Sequence, residues 1–259
     1  MLRQQSLLLR SRGAGWRRPR ILLSLLVFFV LFSGLFTGVV APLSAQDCSA
    51  PTQLEDRWDL SVHDPAGLVD RLGEPVTIRH ETTRLPDRGA VLRADTDVHV
   101  LYDLPLKWFE RTIRDIENHE DYLPRIETSR ISCSIGDPVH YAQVRHDLSF
   151  EFLFFGSSYS YRLHYFIEDR IAEKEQFRTW WSLAESLDGQ MAGLDGSWFL
   201  SAVTIDGEEY TYVRYATRTV FAETVFGLRT AFERFGARDV ARLMEAVREE
   251  AQSRAVAGR

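Results

Sequence analysis

The stretch that decides the fold is residues 101–130, LYDLPLKWFERTIRDIENHEDYLPRIETSR. Its first residues complete an alternating strand, and Pro105 then presets the first turn of a helix with one apolar face. We predict that this helix ends near Asn118. A second short turn over 120–123 must stop before Pro124, because the residue preceding a proline is disfavoured in helical geometry. The stretch therefore predicts a strand, a helix, a turn and a new strand in close succession.

The order of these elements, ending in HEDYLPRIETSRI, resembles the opening of the START-like (SRPBCC) superfamily, which includes polyketide cyclases and coenzyme Q-binding proteins. The later segment GLDGSWFLSAV, at 193–203, resembles the Gly-x-Trp strand of the same domains. The resemblance covers about residues 75–252. It implies an α+β helix-grip fold, in which a curved antiparallel sheet wraps around a long C-terminal helix. It also implies a cavity for a hydrophobic small molecule or lipid.

Hydrophobic alternation and turn residues predict eight strands, most of them joined by short turns. Their ranges are 75–83, 90–103, 126–134, 139–150, 159–169, 174–183, 193–205 and 210–220. A final helix is predicted over 224–254, because its apolar residues recur at spacings of three or four. Gly236 interrupts this apolar stripe, which suggests a kink. Alternation along the strands predicts that the sheet buries one face.

The first 45 residues predict a signal peptide or a membrane anchor, since six arginines and no acidic residue precede the apolar run 21–40. Leu43-Ser44-Ala45 offers a cleavage site, whereas about 20 apolar residues are enough to span a bilayer, so both outcomes stay open. Either outcome predicts an exported domain, periplasmic or extracellular, because the basic flank stays in the cytoplasm. We divide the remainder into a polar extension at 46–74, the START-like domain at 75–252 and a tail at 253–259.

The chain has 31 basic and 37 acidic residues, and all six arginines of the N-terminal segment precede Asp47. The rest of the chain is therefore strongly acidic, which argues against nucleic-acid binding. Cys48 and Cys133 are the two cysteines. In an oxidising compartment such a pair predicts a disulfide, and two unrelated thiols are the alternative.

Aromatic and apolar residues on the predicted strands and helices are candidates for lining a cavity, although the same residue types also build ordinary cores. The candidate ligand-binding residues are Trp108, Tyr161, Leu163, Tyr165, Phe177, Trp181, Trp198 and Phe232. The segment 150–156, FEFLFFG, concentrates phenylalanines near one turn. If this turn projects, Phe152, Phe154 and Phe155 could contact a membrane; if it does not, they belong to an inward strand end.

No nucleophile, phosphate-loop or dinucleotide motif is present in the sequence, and no histidine spacing typical of a metal site occurs. We therefore expect no cofactor, no metal and a binding function rather than catalysis. The alternative is an enzyme of the cyclase or dehydratase kind, with His146, His164, Tyr161 or Arg178 as acid-base groups. Convergence of His140, His146 and His164 on one metal is a further alternative. A ligandless domain that docks on a partner protein is the third.

Overall fold

The structure is a computed structural model that describes residues 48–51, 61–85, 91–152, 155–222 and 228–258. The predicted signal or anchor, residues 1–45, lies outside these ranges, as do Phe154 and the side chains of Phe152 and Phe155. Within the described ranges, no helix combines the length and the apolar character needed to cross a bilayer.

The described chain forms eight strands and four α-helices. They are β1 (Val76–Leu85), β2 (Val91–Tyr102), α1 (Leu106–Arg114), α2 (His119–Tyr122), β3 (Ile126–Ile135), β4 (Tyr141–Phe152), β5 (Phe155–Arg170), α3 (Ile171–Lys174), β6 (Gln176–Ser186), β7 (Met191–Ile205), β8 (Glu208–Phe221) and α4 (Leu228–Ala257). All eight predicted strands are present. Helix α4 continues to Ala257, through most of the predicted tail.

The strands form one curved antiparallel sheet in the order β1-β2-β8-β7-β6-β5-β4-β3. Consecutive strands pair with each other, which the short turns allow, except β2 and β3, which are connected through α1 and α2; β2 pairs with β8 instead. Together with the long C-terminal helix, this arrangement confirms the predicted α+β helix-grip fold.

Helix α1 begins directly after Pro105, as predicted, and it buries Phe109 and Ile113 completely. It ends earlier than predicted, at Arg114, since Asp115 has a non-helical backbone with φ of −81° and ψ of 64°. The side chain of Asp115 accepts hydrogen bonds from Asn118 and Arg254. A 3₁₀ turn over Ile116–Asn118 and the short helix α2 then lead to Pro124. The resulting turn places α2 beside β3.

Two halves of α4 have different neighbours. Its C-terminal half is packed into the core through Met244, Val247 and Ala251, all of them buried. Its N-terminal half lies over the inner face of the sheet and leaves space beneath it. Helix α4 is uninterrupted at Gly236, where we expected a kink. The glycine has another explanation, because a Cβ at this position would lie 2.6 Å from the His80 ring.

Part of the outer face of the sheet, on β2, β7 and β8, is also covered, which corrects the expectation of a single buried face. Leu68, within a 3₁₀ turn at Ala66–Arg71, packs with Phe199 and Tyr212 in a second apolar cluster. Arg214 donates a hydrogen bond to the Ser61 carbonyl on the same side. Part of the predicted extension is therefore an outer layer of the domain.

The predicted disulfide is confirmed. Cys48 is bonded to Cys133 on β3, with 5.7 Å between the two Cα atoms and a sequence separation of 85. The Tyr141 hydroxyl also donates a hydrogen bond to the carbonyl of Ser49. These contacts attach the beginning of the described chain to the β3–β4 edge of the sheet.

Candidate functional site: a buried apolar cavity

A cavity of about 480 Å³ lies between the inner face of the sheet and the N-terminal half of α4. Its lining is mostly apolar and aromatic, with a few polar groups. The lining residues are His80, Ala94, Thr96, His119, Leu123, Pro124, Arg125, Ile126, His146, Leu148, Tyr161, Leu163, Tyr165, Trp181, Met191, Leu194, Trp198, Tyr215, Thr217, Thr219, Phe221, Phe232, Gly236, Asp239, Val240, Arg242 and Leu243. The volume is in the range of about 300–1,000 Å³ that is typical of small-molecule sites.

Six of the eight residues predicted from sequence as cavity-lining candidates lie in this wall. They are Tyr161, Leu163, Tyr165, Trp181, Trp198 and Phe232. Residues on one side of β5 reach the cavity because alternate side chains of a strand point to the same face of the sheet. That these residues bind a ligand stays a prediction.

Trp108 and Phe177 lie outside the cavity wall, and this corrects their assignment. The Phe177 ring is completely buried under α1, with the guanidinium of Arg114 5.2 Å from its centre. Trp108 is flanked by the side chains of Lys107 and Arg111. Both positions are at the end of the sheet that α1 covers, so packing fills the space there.

The aromatic wall is built around a glycine. Trp181 pairs with Gly196 across β6 and β7, and a Cβ on Gly196 would collide with the indole. The indole therefore lies close to the backbone of β7, where it stacks with Tyr165 at 5.9 Å. Tyr215 contacts both Trp181 and Trp198. This explains the glycine in the Gly-x-Trp segment.

Two buried histidines form the polar part of the wall. His119 on α2 donates a hydrogen bond from Nε2 to the Ile113 carbonyl, at 3.1 Å, and His146 on β4 contacts the Ser129 hydroxyl at 3.0 Å. The ring centres of the two histidines are 6.2 Å apart. Burial lowers the pKa of His119 to about 4 and that of His146 to about 3, so both imidazoles are neutral at pH 7.

The tyrosines of the cavity are uncharged as well. Burial raises the pKa values of Tyr161 and Tyr165 far above the ordinary range and that of Tyr215 to about 12. The Tyr165 hydroxyl is buried, and its polar neighbour is the Thr179 side chain on β6. The interior of the cavity therefore offers neutral polar groups within an apolar surface.

Charged groups occur where the α2–β3 turn meets α4. Arg125 donates hydrogen bonds to both carboxylate oxygens of Asp239, at 3.2 and 3.3 Å, and Arg242 lies 3.6 Å from the same carboxylate. Nearby, His80 connects β1 to α4 through the Phe232 carbonyl. The turn and the helix are thus joined beside the cavity.

Sequence reasoning did not include His119 among the candidate site residues, although it lines the cavity. The signal was its position three residues before Tyr122, whose hydroxyl donates a hydrogen bond to the Thr112 carbonyl and holds the turn against α1. Tyr215 on β8 was also missed, although it contacts Trp181 and Trp198. Both positions depend on contacts between elements distant in sequence.

The four residues considered for catalysis separate into two groups. His146 and Tyr161 meet in the cavity, with ring centres 5.9 Å apart. His164 contacts Tyr141 instead, and Arg178 forms an ion pair with Glu168 on the outer side of β5 and β6. Because His146 pairs with Tyr161 and His164 with Gln143, His146 and His164 face opposite sides of the sheet, so a three-histidine metal site does not form.

The described residues contain no group of three or more His, Cys, Asp or Glu side chains arranged to hold a metal ion.

No family model and no curated protein matches the chain. Several solved structures are similar to it. One is the Zhui aromatase/cyclase of Streptomyces sp. R1128, with 18% identity, coverage of 63% of this chain and 96% of that one, and a TM-score of 0.45.

Two further similar structures are a START superfamily protein of Mycobacterium smegmatis and a STAR-related lipid transfer protein of Xanthomonas axonopodis. The first is 14% identical, covers 61% of this chain and 97% of its own, and has a TM-score of 0.45. The second is 12% identical, covers 67% and 98%, and has a TM-score of 0.47. At these low sequence identities, the chain resembles the three proteins in fold alone.

Proposed function

We propose that this protein binds and carries a hydrophobic small molecule or lipid outside the cytoplasm. The observation that carries the proposal is the cavity of about 480 Å³, lined mainly by apolar and aromatic side chains with neutral polar groups among them. A concave, mostly apolar space of this size with a few polar groups is typical of sites that bind a small molecule.

The chemistry of the wall supports an apolar occupant. An ion in this interior would lose its hydration, because an unpaired charge buried in apolar surroundings is very costly. The lining cations Arg125 and Arg242 both lie next to Asp239. A ligand with an apolar body therefore fits better than a polyanion.

Export is part of the proposal and rests on the basic and apolar N-terminal sequence. The Cys48–Cys133 bond supports it, because disulfides persist mainly in oxidising compartments. Membrane contact through Phe152, Phe154 and Phe155, by which a ligand would pass between bilayer and cavity, is likewise proposed from the sequence alone.

The test uses the neutral fluorescent probe N-phenyl-1-naphthylamine and a pair of alanine variants. Ala94 lines the cavity, whereas Ala172 is exposed on α3. We expect saturable binding of one probe per unmodified chain, at least tenfold weaker binding by Ala94→Phe, and unchanged binding by Ala172→Phe. Absence of saturable binding by the unmodified protein, or equal binding by both variants, would overturn the proposal.

A second candidate function is acid-base catalysis on a bound ligand, favoured by the contact between His146 and Tyr161. A neutral imidazole can accept a proton and a neutral phenol can donate one. If the cavity is catalytic, His146→Phe should accumulate the substrate and the unmodified protein should hold the product. Native mass spectrometry should then show two bound ligands whose masses differ by the atoms that the reaction adds or removes. Identical ligand masses would argue for carriage alone.

A further inference from the structure

The hydrogen bonds of the two cavity histidines determine which of their nitrogens can serve a ligand. The partner of His119 Nε2 is the carbonyl of Ile113, which can only accept. Nε2 therefore carries the proton. In a neutral imidazole the other nitrogen then has a lone pair and no proton, so Nδ1 of His119 is an acceptor.

The same conclusion holds for His146 by one more step. The Ser129 hydroxyl donates its proton to the Ile116 carbonyl, at 2.6 Å. Since that hydroxyl has one proton, it must accept the hydrogen bond that joins it to His146 Nε2 at 3.0 Å. Nε2 of His146 is therefore the donor, and its Nδ1 is again an acceptor.

Neither Nδ1 atom accepts a hydrogen bond from another described residue. Both histidines are buried from solvent, with exposed fractions of 3% and 5%, and both line the cavity. A ligand that donates a hydrogen bond to such an acceptor gains a net contribution of about 0.5–1.5 kcal/mol. The two imidazoles thus form an acceptor pair, His119 and His146, at one end of an apolar cavity.

We infer that the ligand carried under the proposed function is a neutral molecule with a hydroxyl group, an alcohol or a phenol, that donates a hydrogen bond to the acceptor pair. A carboxylate or phosphate would place lone pairs against lone pairs there. The cations that line the cavity lie at the α4 side and pair with Asp239. The buried Tyr165 hydroxyl also belongs to the cavity wall and offers a further polar contact to the same ligand.

The test compares three naphthalenes of similar shape as competitors of N-phenyl-1-naphthylamine at pH 7.5. The first, 2-naphthol, can donate a hydrogen bond. The second, 2-methoxynaphthalene, can only accept, and the third, 2-naphthoate, is an anion. We expect 2-naphthol to bind about tenfold more tightly than 2-methoxynaphthalene, the difference that one buried hydrogen bond makes, and 2-naphthoate to bind weakest.

Two histidine variants test whether the preference for 2-naphthol over 2-methoxynaphthalene depends on the acceptor pair. In His146→Phe one of the two acceptors is lost, so the preference for 2-naphthol should decrease to about threefold or less. The Ser129 hydroxyl keeps the Ile116 carbonyl as its partner. His164→Phe is the matched control on the opposite face of the sheet and should keep the full preference. Circular dichroism checks that both variants are folded. If His146→Phe does not fold, the comparison of the three competitors on the unmodified protein decides alone.

The outcomes separate this inference from the proposed function. If N-phenyl-1-naphthylamine itself does not bind, the proposed function fails. If it binds but the three competitors displace it equally, or 2-naphthoate displaces it best, the acceptor-pair inference is wrong and the carrier proposal stands. Equal loss of preference in His146→Phe and His164→Phe would also overturn the inference.

Discussion

Close approach of a side chain to the backbone explains Gly236 in the middle of α4. The His80 ring is held between the Thr96 hydroxyl, at 3.0 Å, and the Phe232 carbonyl, at 3.1 Å. A Cβ on Gly236 would lie 2.6 Å from the ring carbon Cε1. Glycine is needed here because the imidazole occupies the place of a side chain.

We predict that Gly236→Ala lowers the free energy of unfolding by about 1–3 kcal/mol, the usual range for overpacking. In an open helix the same change would stabilise by about 1 kcal/mol. Chemical denaturation of Gly236→Ala, His80→Ala and the double variant provides the measurement. If the collision is the cause, Gly236→Ala should stabilise in the His80→Ala background. A loss of the same size in both backgrounds would contradict this explanation.

The buried histidines predict a pH dependence of stability. Above pH 6.5 they are neutral in the folded and the unfolded chain. Below that value the unfolded imidazoles take up protons that the folded ones, with pKa values of about 4 and 3, do not, so stability falls as the pH decreases. At pH 5 the two together should cost roughly 4 kcal/mol relative to pH 7.5.

Urea denaturation at both pH values measures this cost. Burial also lowers the pKa values of His99 and His164, which changes stability in the same direction. In His146→Phe the difference between pH 7.5 and pH 5 should decrease by nearly half. An equal pH effect in this variant would show that the His146 imidazole is not neutral and buried.

At the scale of elements, the turn between α2 and β3 is held against α4 beside the cavity. The contact consists of Arg125, in a left-handed conformation with φ of 79°, and Asp239. Both side chains are about one-quarter exposed or less, so the pair is partly screened by solvent. Separation of these two elements would widen access to the space under α4.

We predict that Asp239→Asn speeds the release of N-phenyl-1-naphthylamine several-fold and changes stability by no more than about 1 kcal/mol. Stopped-flow dilution measures the release rate. Glu233→Gln, which weakens an exposed ion pair with Arg229 on the same helix, should leave the rate unchanged. Equal rates in the unmodified protein and Asp239→Asn would mean that the ligand leaves by another route.

At the scale of the whole molecule, the residues before β1 contribute to the domain through its outer face. Cys48 is attached to β3, and Leu68 is buried against β7 and β8. The disulfide closes a loop with a sequence separation of 85 residues. Long loops of this kind restrict the unfolded chain most strongly.

Replacement of both cysteines by serine should lower the free energy of unfolding by about 4 kcal/mol, on the chain-entropy account of disulfides. Denaturation of the oxidised protein with and without reductant should give a similar difference, and reductant should not affect the serine variant. If thiol-blocking reagent labels both cysteines before reduction, or if stability is unchanged, the disulfide does not contribute in solution.

The sequence by itself determined the local features. Period-two alternation placed eight strands, Pro105 fixed the start of α1, and Pro124 forced Leu123 into an extended conformation. Parity along β5 correctly separated Tyr161, Leu163 and Tyr165 from the opposite face. These features depend on neighbours within a few residues, so sequence patterns can predict them.

Only the tertiary structure decided which residues surround empty space. Phe177 and Trp181 share one face of β6, yet α1 covers the first and the cavity reaches the second. His119 became part of the wall because α2 packs against β3 and α4. Burial, and with it the loss of charge on both cavity histidines, results from contacts between distant elements. No periodicity in the sequence records such contacts, which is why the acceptor pair emerged from the folded chain alone.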